Sequence, residues 1–589
     1  MMLNLDYETE MSNIKKVVSI FAIILMLTSM MYVASFAENA NTTITQGSLT
    51  VSVDNAVEGL YFEGDNVKSN ATNGYYPFNF SVIFNDRSKV TGRPVVKDAN
   101  GKVVQNGFHW AYKQNTDGTF VTDEDGNYVE DPNTGYGLAT LPIGSTSTIT
   151  IKNSEGADIV LHCQAPNGGT TNSGATLFAC LPAPGQFTNE GIGKGGWGDP
   201  FDSNGALKAN SQTGISLGFF GGYAVYKFDN PIADNPANKY GADFIVYGNA
   251  FWNNSEPGCI QVSQDGVKWY DIAGSKHFDP DTERNASITY TNPNPTEDAG
   301  ISSPGTAGLL APVNYTGTRS GTITTNNFHS HSWFPLNANY FVARNGNATA
   351  LDKVASLSFA SRTLTNGVTN TLTLEGTMLG GVSTTKITDT IGFGYCDAHP
   401  NKELGGTIAY NPYQQFANQN DYNTKTAGTS GGDPIDISWA VDSNGQPANL
   451  GSIKYVRIYT GAAAMNDIFG EISTEVCGIA PCTGTTTQAP TPGDELDIKA
   501  AGSFVEGDEI HPMTSNGGIT TILTYDREPF RITASGAERI YVNGQLAYGS
   551  NNFIEIPFVG ENEQIVQIIA QNGDSAPYIT YLRVKIEEE

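Results

Sequence analysis

Basic residues are scarce in this sequence, and so is charge as a whole. Charged side chains make up 16% of the 589 residues, and 32 Lys and Arg stand against 60 Asp and Glu, which gives a formal net charge of −28. A protein that holds nucleic acid neutralises its phosphates with clustered Lys and Arg. The balance therefore excludes nucleic acid as the expected partner. It favours a soluble chain in which many carboxylates are available to hold Ca²⁺.

Recognisable catalytic signatures are also missing. The sequence has no H-E-x-x-H zinc motif and no phosphate-binding P-loop. It contains no C-x-x-C pair, which removes a common zinc-ligand spacing. We therefore expect a protein that is not an enzyme and that works by binding.

The composition is poor in helix formers and rich in turn formers. Gly (65 residues) and Pro (28 residues) are abundant, and short runs of alternating apolar and polar residues recur. A chain of this length is expected to form about three or four domains. We predict an all-β fold class with several β-sandwich domains, of which the central one is jelly-roll-like with long loops.

The first 37 residues have the pattern of a secretory signal peptide. Lys15 and Lys16 precede an uncharged, largely apolar run over 17–33, and the segment 34–37 (ASFA) places small residues at the −3 and −1 positions of a cleavage site. This pattern predicts export to the cell surface or the extracellular space. An uncleaved N-terminal anchor helix is the alternative. No later segment is long and apolar enough to predict a transmembrane span.

Composition and strand periodicity divide the remaining chain. We predict an N-terminal β domain at 38–165, a central binding domain at 175–480, a Thr/Pro-rich linker at 481–495 and a C-terminal β-sandwich at 496–589. Turn signals such as Asn543-Gly544 separate the apolar runs of the last segment.

The six cysteines all follow the signal segment, and in an exported chain an even number permits three disulfides. Cys477 and Cys482 are near enough in sequence to close a small loop, and Cys163 with Cys180 could link two domains. Buried thiols are the alternative to these disulfides.

The central region contains an ordered set of strand and turn motifs. They are 221–231 (GGYAVYKFDNP), 241–251 (GADFIVYGNAF) and the hairpin 262–269 (VSQDGVKW). This set resembles the galactose-binding-like (discoidin-type) jelly rolls of secreted bacterial proteins. With 394–401 (GYCDAHPN) and 470–475 (GEISTE), it also resembles a family of poorly characterised bacterial "cell surface proteins". The resemblance implies an exported β-sandwich module with no established catalytic residues.

The C-terminal segment resembles a second family. The runs RIYVNGQ, from Arg539, and IVQIIAQNG, from Ile565, are similar to bacterial cadherin-like β-sandwich domains. That resemblance implies a spacer or an adhesive module, with other cell-surface proteins as possible partners.

Oxygen-bearing side chains beside the central strands are candidates for a structural calcium site, because Ca²⁺ takes about six to eight oxygen ligands. The predicted ligands are Asp243, Glu256, Asp436 and Glu471, and Asn249 and Asp433 lie near the same strands. Capping of turns by the same side chains is the alternative. A metal site formed by His329, His331 and His399 is a further hypothesis, against which stands a purely structural role for these histidines.

Flat aromatic rings with amides and carboxylates around them are the usual means by which β-sandwiches hold sugars. The ligand-binding candidates are Asn249, Phe251, Trp252, Trp197, Trp333, Asp397 and His399. Further aromatic residues that we considered for exposure are Phe219, Phe220, Tyr410, Tyr413 and Tyr422. Trp269 and Trp439 are expected in the core.

These observations favour a surface or secreted protein that captures a ligand with its central domain. A glycan is the expected ligand. Capture of a corrinoid or another nutrient is the alternative within binding. A carbohydrate-active enzyme and a structural wall component are the alternatives from other classes.

Overall fold

A computed structural model provides the fold. It describes separated stretches within 34–164 and then 175–185, 214–251, 255–293, 312–324, 359–365, 368–382, 392–400, 407–416, 418–425, 431–466, 470–482, 496–511, 517–548, 553–573 and 575–587, with shorter pieces between. The described helical elements are one α-helix, α1 (Gln419–Lys425), and three short 3₁₀ turns. None of these helices is long and apolar enough to cross a membrane. The predicted all-β fold class is confirmed.

Two five-stranded sheets form the N-terminal region. Their strands are β1 (Ala34–Ser35), β2 (Thr42–Gln46), β3 (Leu49–Asp54), β4 (Leu60–Glu63), β5 (Phe78–Phe84), β6 (Val90–Lys97), β7 (Phe108–Trp110), β8 (Tyr136–Leu141), β9 (Thr146–Asn153) and β10 (Asp158–Gln164). The sheet orders are β1-β4-β5-β8-β7 and β2-β3-β10-β9-β6. The hairpin β9–β10 turns at Asn153, whose side chain accepts hydrogen bonds from the turn N–H groups of Glu155 and Ala157.

The central region is built on an eight-stranded sheet. Its strands, with those of the smaller sheets, are β11 (Ala175–Leu181), β12 (Ile215–Ser216), β13 (Tyr223–Ala233), β14 (Phe244–Tyr247), β15 (Gly258–Ser263), β16 (Tyr270–Ile272), β17 (Glu283–Thr291), β18 (Val313–Gly317), β19 (Gly321–Ile323), β20 (Phe341–Arg344), β21 (Asn347–Thr349), β22 (Ala360–Thr365), β23 (Val368–Met378), β24 (Asp433–Ile435), β25 (Ala440–Val441), β26 (Ser452–Thr460), β27 (Met465–Asn466), β28 (Gly470–Glu471), β29 (Glu475–Val476) and β30 (Gly478–Pro481). The main sheet has the order β21-β20-β11-β13-β26-β15-β16-β25. The smaller sheets are β19-β18-β17-β23-β22, β24-β14-β30, β12-β29 and β27-β28.

Both faces of the eight-stranded sheet are buried, which explains why β13 is apolar on both sides. On one face Tyr223 packs with Ile288 and Leu374 of the five-stranded sheet. On the other face Tyr226 belongs to the same core as Phe244 of the three-stranded sheet. The central region therefore has three layers, because successive side chains of one strand point to opposite faces and both sets are covered.

The C-terminal region is a sandwich of a four-stranded and a five-stranded sheet. Its strands are β31 (Asp497–Ala501), β32 (Glu509–Ile510), β33 (Gly518–Thr524), β34 (Phe530–Ser535), β35 (Arg539–Val542), β36 (Gln545–Tyr548), β37 (Phe553–Ile556), β38 (Glu563–Gln571) and β39 (Tyr578–Ile586). The orders are β32-β31-β34-β37 and β33-β39-β38-β35-β36, and β33 runs parallel to β39. The turn Asn543-Gly544 joins β35 to β36 with both residues at positive φ, as its sequence predicts.

This sandwich packs directly against the central region. Tyr541, Ile569 and Tyr581 belong to the core that also contains Trp439. The Tyr541 hydroxyl donates to the carbonyl of Tyr413 at 2.9 Å. The two parts therefore share one hydrophobic core.

Some predicted segments fall outside the described residues. They include the signal segment except for Ala34–Ser35, and the linker after Cys482 as far as 495. Trp439 is fully buried as expected, whereas Trp269 is partly buried and packs edge-on against Phe359.

Candidate functional site

The candidate site is organised by the small sheet β24-β14-β30. Strand β14 pairs antiparallel with β24, so that Phe244 lies opposite Ile435 and Val246 lies opposite Asp433. Asp243 directly precedes β14 and Asp436 directly follows β24. The antiparallel register therefore places these two acids at the same end of the ladder and Asp433 at the other end.

Asp243 and Asp436, which are buried, form a cluster with the partly buried Asp234, a residue that no sequence motif indicated. The three carboxylates each offer an oxygen within 4.8 Å of the others, and we call them the first acidic cluster. The backbone N–H of Asn235 donates to Oδ1 of Asp243 at 2.9 Å, and that of Ile437 donates to Oδ2 at 2.9 Å. Burial raises the pKa of Asp234 to about 7, and burial with the neighbouring acids raises the pKa of Asp243 well above its ordinary value.

Glu256, Asp397 and Glu475 form the second acidic cluster, again with oxygens within 4.8 Å of one another. The backbone N–H of Asn249 donates to Oδ1 of Asp397 at 2.6 Å, and that of Glu475 donates to Oδ2 at 3.2 Å. The N–H of Ser473 donates to Oε1 of Glu256 at 3.2 Å. Burial raises the pKa of Glu256 to about 7, and burial with the Glu256 charge raises the pKa of Asp397 well above its ordinary value.

The second acidic cluster explains the glycine of the 248–251 motif (GNAF). A Cβ at Gly248 would lie 2.3 Å from Oδ1 of Asp397, so a side chain at this position would push the carboxylate away. Asp397 itself has φ of +59°, in the left-handed region that costs a non-glycine residue free energy. A strained acid thus holds the backbone of the loop that carries Asn249 and Phe251.

His399 lies in a buried polar group beside the second acidic cluster. Its Nδ1 is 2.8 Å from Oδ1 of Asp433, and the Tyr410 hydroxyl donates to the same oxygen at 2.9 Å. The rings of Tyr422 and His399 are nearly parallel, and their centroids lie 6.4 Å apart. His399 is 7% exposed and Asp397 is 0% exposed. The protein has surrounded both side chains with its own hydrogen-bonding groups, so direct contact of either with a ligand stays a prediction.

Among the predicted ligand-binding residues, Phe251 stands out because its side chain is 65% exposed. Asn249 is partly buried and ties the same loop to Asp397 through its backbone N–H. The expectation of exposure is wrong for five other aromatic residues that we considered, which are buried: Phe219, Phe220, Tyr410, Tyr413 and Tyr422. Residues Trp197, Trp252, Trp333, His329 and His331 lie outside the described part of the chain.

The four predicted calcium ligands do not converge on one site. Asp243 and Asp436 belong to the first acidic cluster and Glu256 to the second. Glu471 is buried in β28 and belongs to neither, and its Oε1 would lie 3.0 Å from a Cβ at Gly185. A single site built from all four residues is therefore wrong. Strand β28 pairs with β27 and does not belong to the β24-β14-β30 sheet, at one end of which Asp243 and Asp436 meet.

Either cluster has the chemistry of a hard cation site, with three carboxylates close together. Ca²⁺ would need additional oxygens from carbonyls or water to complete its shell. Both oxygens of Asp243 and both of Asp397 already accept N–H groups. Calcium binding therefore stays a prediction, and protonation of the same acids is the competing way to remove the buried negative charge.

The predicted disulfides are wrong, since all six cysteines are buried thiols. Cys477 and Cys482 flank strand β30, whose extended backbone separates their Cα atoms by roughly 16 Å. A disulfide needs about 4.4–6.8 Å. Cys163 lies in the N-terminal sheet on β10, whereas Cys180 belongs to the central core.

A partly buried ion pair joins the N-terminal region to the central region. Nε2 of His109 lies 3.1 Å from Oδ2 of Asp265, in the Asp-Gly turn of the β15–β16 hairpin, and Nδ1 lies 2.9 Å from the carbonyl of Trp110. Burial opposes the charged imidazole, but the hydrogen bond and charge of Asp265 outweigh it and raise the pKa of His109. This hairpin therefore has a structural role at the junction.

The comparisons with known proteins do not identify a relative. No protein-family model and no curated protein matches the chain. Among solved structures, "Structural basis for Dscam isoform specificity" is 8% identical with a TM-score of 0.11, over 95% of this chain and 100% of that chain. "Crystal structure of Dscam1 isoform 9.44, N-terminal four Ig domains" is 10% identical with a TM-score of 0.11, over 86% and 94%. Similarity at this level carries no argument about fold or function.

Proposed function

We propose that this chain is an exported or cell-surface protein that captures a glycan, with the loop around Phe251 as the contact surface. The observation that carries the proposal is the 65% exposure of the Phe251 ring on a loop whose backbone is anchored by a buried acid. Large aromatic side chains are normally buried, and an exposed ring on a rigid loop is a suitable platform for the apolar face of a sugar.

Anchoring of the loop supports this role. Asn249 is held by Asp397, and Asp397 is held in turn by the N–H of Glu475. A contact residue on an ordered loop loses little conformational entropy when a ligand binds, so more of the contact energy appears as affinity. Phe251 follows Asn249 by two residues, which leaves the ring outside the core while its backbone stays fixed.

Burial of the acids argues against the alternative of a carbohydrate-active enzyme. The raised pKa of Glu256 is a property that catalytic acids share. However, Asp397 and Glu475 are 0% and 4% exposed and Glu256 is only partly exposed, so most of this cluster is closed off from a substrate in solution.

A glycan array followed by calorimetry on the purified chain tests the proposal. Phe251→Ala should weaken binding of the selected glycan by about tenfold or more, because stacking contributes roughly 1–3 kcal/mol per ring by comparison with other ring-stacking sites. The matched control is Tyr525→Ala, which removes a ring that is 63% exposed in the C-terminal sandwich.

The proposal fails if no glycan binds, or if Phe251→Ala binds as tightly as the unchanged chain. Binding of a corrinoid but no glycan in a parallel titration would replace the glycan by the nutrient alternative. Degradation of the bound glycan, lost on a Glu256→Gln change, would establish an enzyme instead.

A further inference from the structure

A second concave surface lies where the central region meets the C-terminal sandwich. The cleft has a volume of about 570 Å³. The segment 277–284 and the turn 443–446 line it from the central region, and the segment 559–565 with the end of β39 lines it from the sandwich. This volume is in the range of small-molecule and sugar sites.

The two walls of the cleft are fixed relative to each other. The side-chain amide of Gln567 donates to the carbonyl of Ala273 at 3.3 Å, close to the cleft in both regions. The turn at Gly544 approaches the carbonyl oxygen of Ser275 so closely that a Cβ there would lie 1.5 Å away. The shared core around Tyr541 lies behind these contacts. The cleft is therefore preformed.

The charges that line the cleft do not cancel. Its two acids are each paired with a lysine, Asp279 with Lys276 at 3.2 Å and Glu563 with Lys585 at 3.0 Å. The two arginines of the lining, Arg284 and Arg583, make no ion pair with any described residue. In a chain whose net charge is −28, two guanidinium groups without an ion-pair partner in one cleft need a reason.

Arg583 provides a second observation that points to an anionic ligand. Its Nε–H is buried and has no hydrogen-bond acceptor within the described residues. Buried donors are almost always satisfied, and each exception calls for a partner. A guanidinium group presents its N–H donors in a planar fork that fits a carboxylate with two parallel hydrogen bonds.

The remaining lining has the chemistry of a sugar site. The guanidinium of Arg284 lies 5.7 Å from the centre of the Phe278 ring, so a charged donor and an apolar face stand side by side. Asn444 and Gln446 add side-chain amides, which bind hydroxyl groups as donors and as acceptors. His277 stays neutral because burial and the charge of Arg284 lower its pKa to about 3.

We propose that this cleft binds a carboxylate-bearing saccharide, with Arg284 and Arg583 as the groups that receive its carboxylates. The inference rests on the proposed function in that it makes a glycan the ligand, and it names acidic sugars as the class. It concerns a site distinct from the loop of Phe251.

Calorimetry of the purified chain with oligogalacturonate, and with the same oligomer fully methyl-esterified, tests the inference. The ester keeps the sugar rings and converts each carboxylate into an uncharged methyl ester. We expect the acid to bind and the ester to bind about tenfold or more weakly, since a hydrogen bond to a charged group is worth about one power of ten in affinity or more. Affinity for the acid should fall with rising ionic strength.

Arg284→Gln and Arg583→Gln should each weaken binding of the acid by about tenfold or more. Arg531→Gln is the matched control, because Arg531 is an exposed arginine of the same sandwich outside the cleft lining. Phe251→Ala should leave binding of the acid unchanged. Unchanged melting temperatures of the arginine variants would show that the loss is local.

The outcomes separate this inference from the proposed function. If acid and ester bind equally and Phe251→Ala abolishes both, glycan capture stands and the cleft inference is overturned. Failure of the acid to bind overturns the cleft inference, while the glycan array decides the proposed function independently. Equal losses in Arg284→Gln and Arg531→Gln would also overturn it, since binding would then follow total charge.

Discussion

Raising the pH in the absence of divalent cations should weaken the fold through the second acidic cluster. The pKa of Glu256 is raised from 4.5 to about 7 by burial. A group whose pKa is higher in the folded state than in the unfolded state stabilises the fold fully below its unfolded pKa. That contribution is lost as the pH rises through the folded pKa. The window of loss for Glu256 therefore runs from about pH 4.5 to a little above pH 7.

The size of the effect follows from the same values. Each tenfold change in proton affinity corresponds to about 1.4 kcal/mol. A rise from 4.5 to about 7 thus corresponds to about 3 kcal/mol of unfolding free energy between the two ends of the window. Glu256→Gln keeps the shape and an oxygen acceptor but cannot ionise, so it should not show this loss.

Urea denaturation followed by tryptophan fluorescence, in buffer with EDTA, measures the effect. Relative to the unchanged chain, Glu256→Gln should gain about 3 kcal/mol between about pH 4.5 and pH 8. Glu555→Gln is the matched control, because Glu555 is an exposed acid paired with Arg531. If Glu256→Gln follows the pH dependence of the unchanged chain, Glu256 does not carry the buried charge and the reasoning is refuted.

The remaining predictions concern the metal, the junctions and the thiols. Calcium should raise the melting temperature near neutral pH and EDTA should lower it. Equal melting temperatures in calcium and in EDTA would mean that protons, and not calcium, neutralise the acidic clusters. His109→Gln should speed proteolytic release of the N-terminal region, most clearly near pH 6. The raised pKa of His109 means that its ion pair with Asp265 stabilises the junction at low pH, where the imidazole is charged. Equal cleavage rates of the variant and the unchanged chain would contradict this. Gly544→Ala should lower the melting temperature far more than Gly573→Ala. Both glycines have positive φ, but only a Cβ at Gly544 would clash with Ser275. Equal decreases in melting temperature would mean that backbone strain at positive φ explains both and that the clash adds nothing. Alkylation in denaturant without reductant should label all six cysteines, and any unlabelled pair would reveal a disulfide.

Local sequence signals predicted the local structure well. The Asn543-Gly544 dipeptide predicted a two-residue turn, and Val542 indeed pairs with Gln545 across it. Such signals are reliable because positive φ at two successive positions is accessible to few residue types. The same reasoning correctly identified the Asp-Gly hairpin at Asp265, whose Oδ1 accepts the N–H of Val267 at 2.7 Å.

The convergence of distant residues was only partly predictable. Asp243 and Asp436 were predicted as ligands of one ion, and they do meet. Their partner Asp234 was missed, because it stands at the end of a long strand where its sequence resembles an ordinary turn. Glu475 was missed for a similar reason. Membership of a cluster is set by strand register across hundreds of residues, and one sequence contains no direct measure of that register.

The cysteines show why spacing alone misleads. Cys477 and Cys482 are five residues apart, which suits a small loop but also suits the two ends of a four-residue strand. Strand β30 decides between these, because its pairing with β14 satisfies its backbone groups and leaves the thiols far apart. The alternation around Ile479 could have indicated a strand, but the Pro within it argued for a loop.

The C-terminal sandwich is attached to the central region through an apolar face. The outer face of β38 and β39 carries Ile569 and Tyr581, which in an isolated sandwich would be exposed to water. Large exposed apolar patches are uncommon on soluble domains unless something covers them. Here the central region covers them, next to Trp439. The sandwich therefore completes the central core, and the cleft lined by Arg284 and Arg583 exists only because the two are joined.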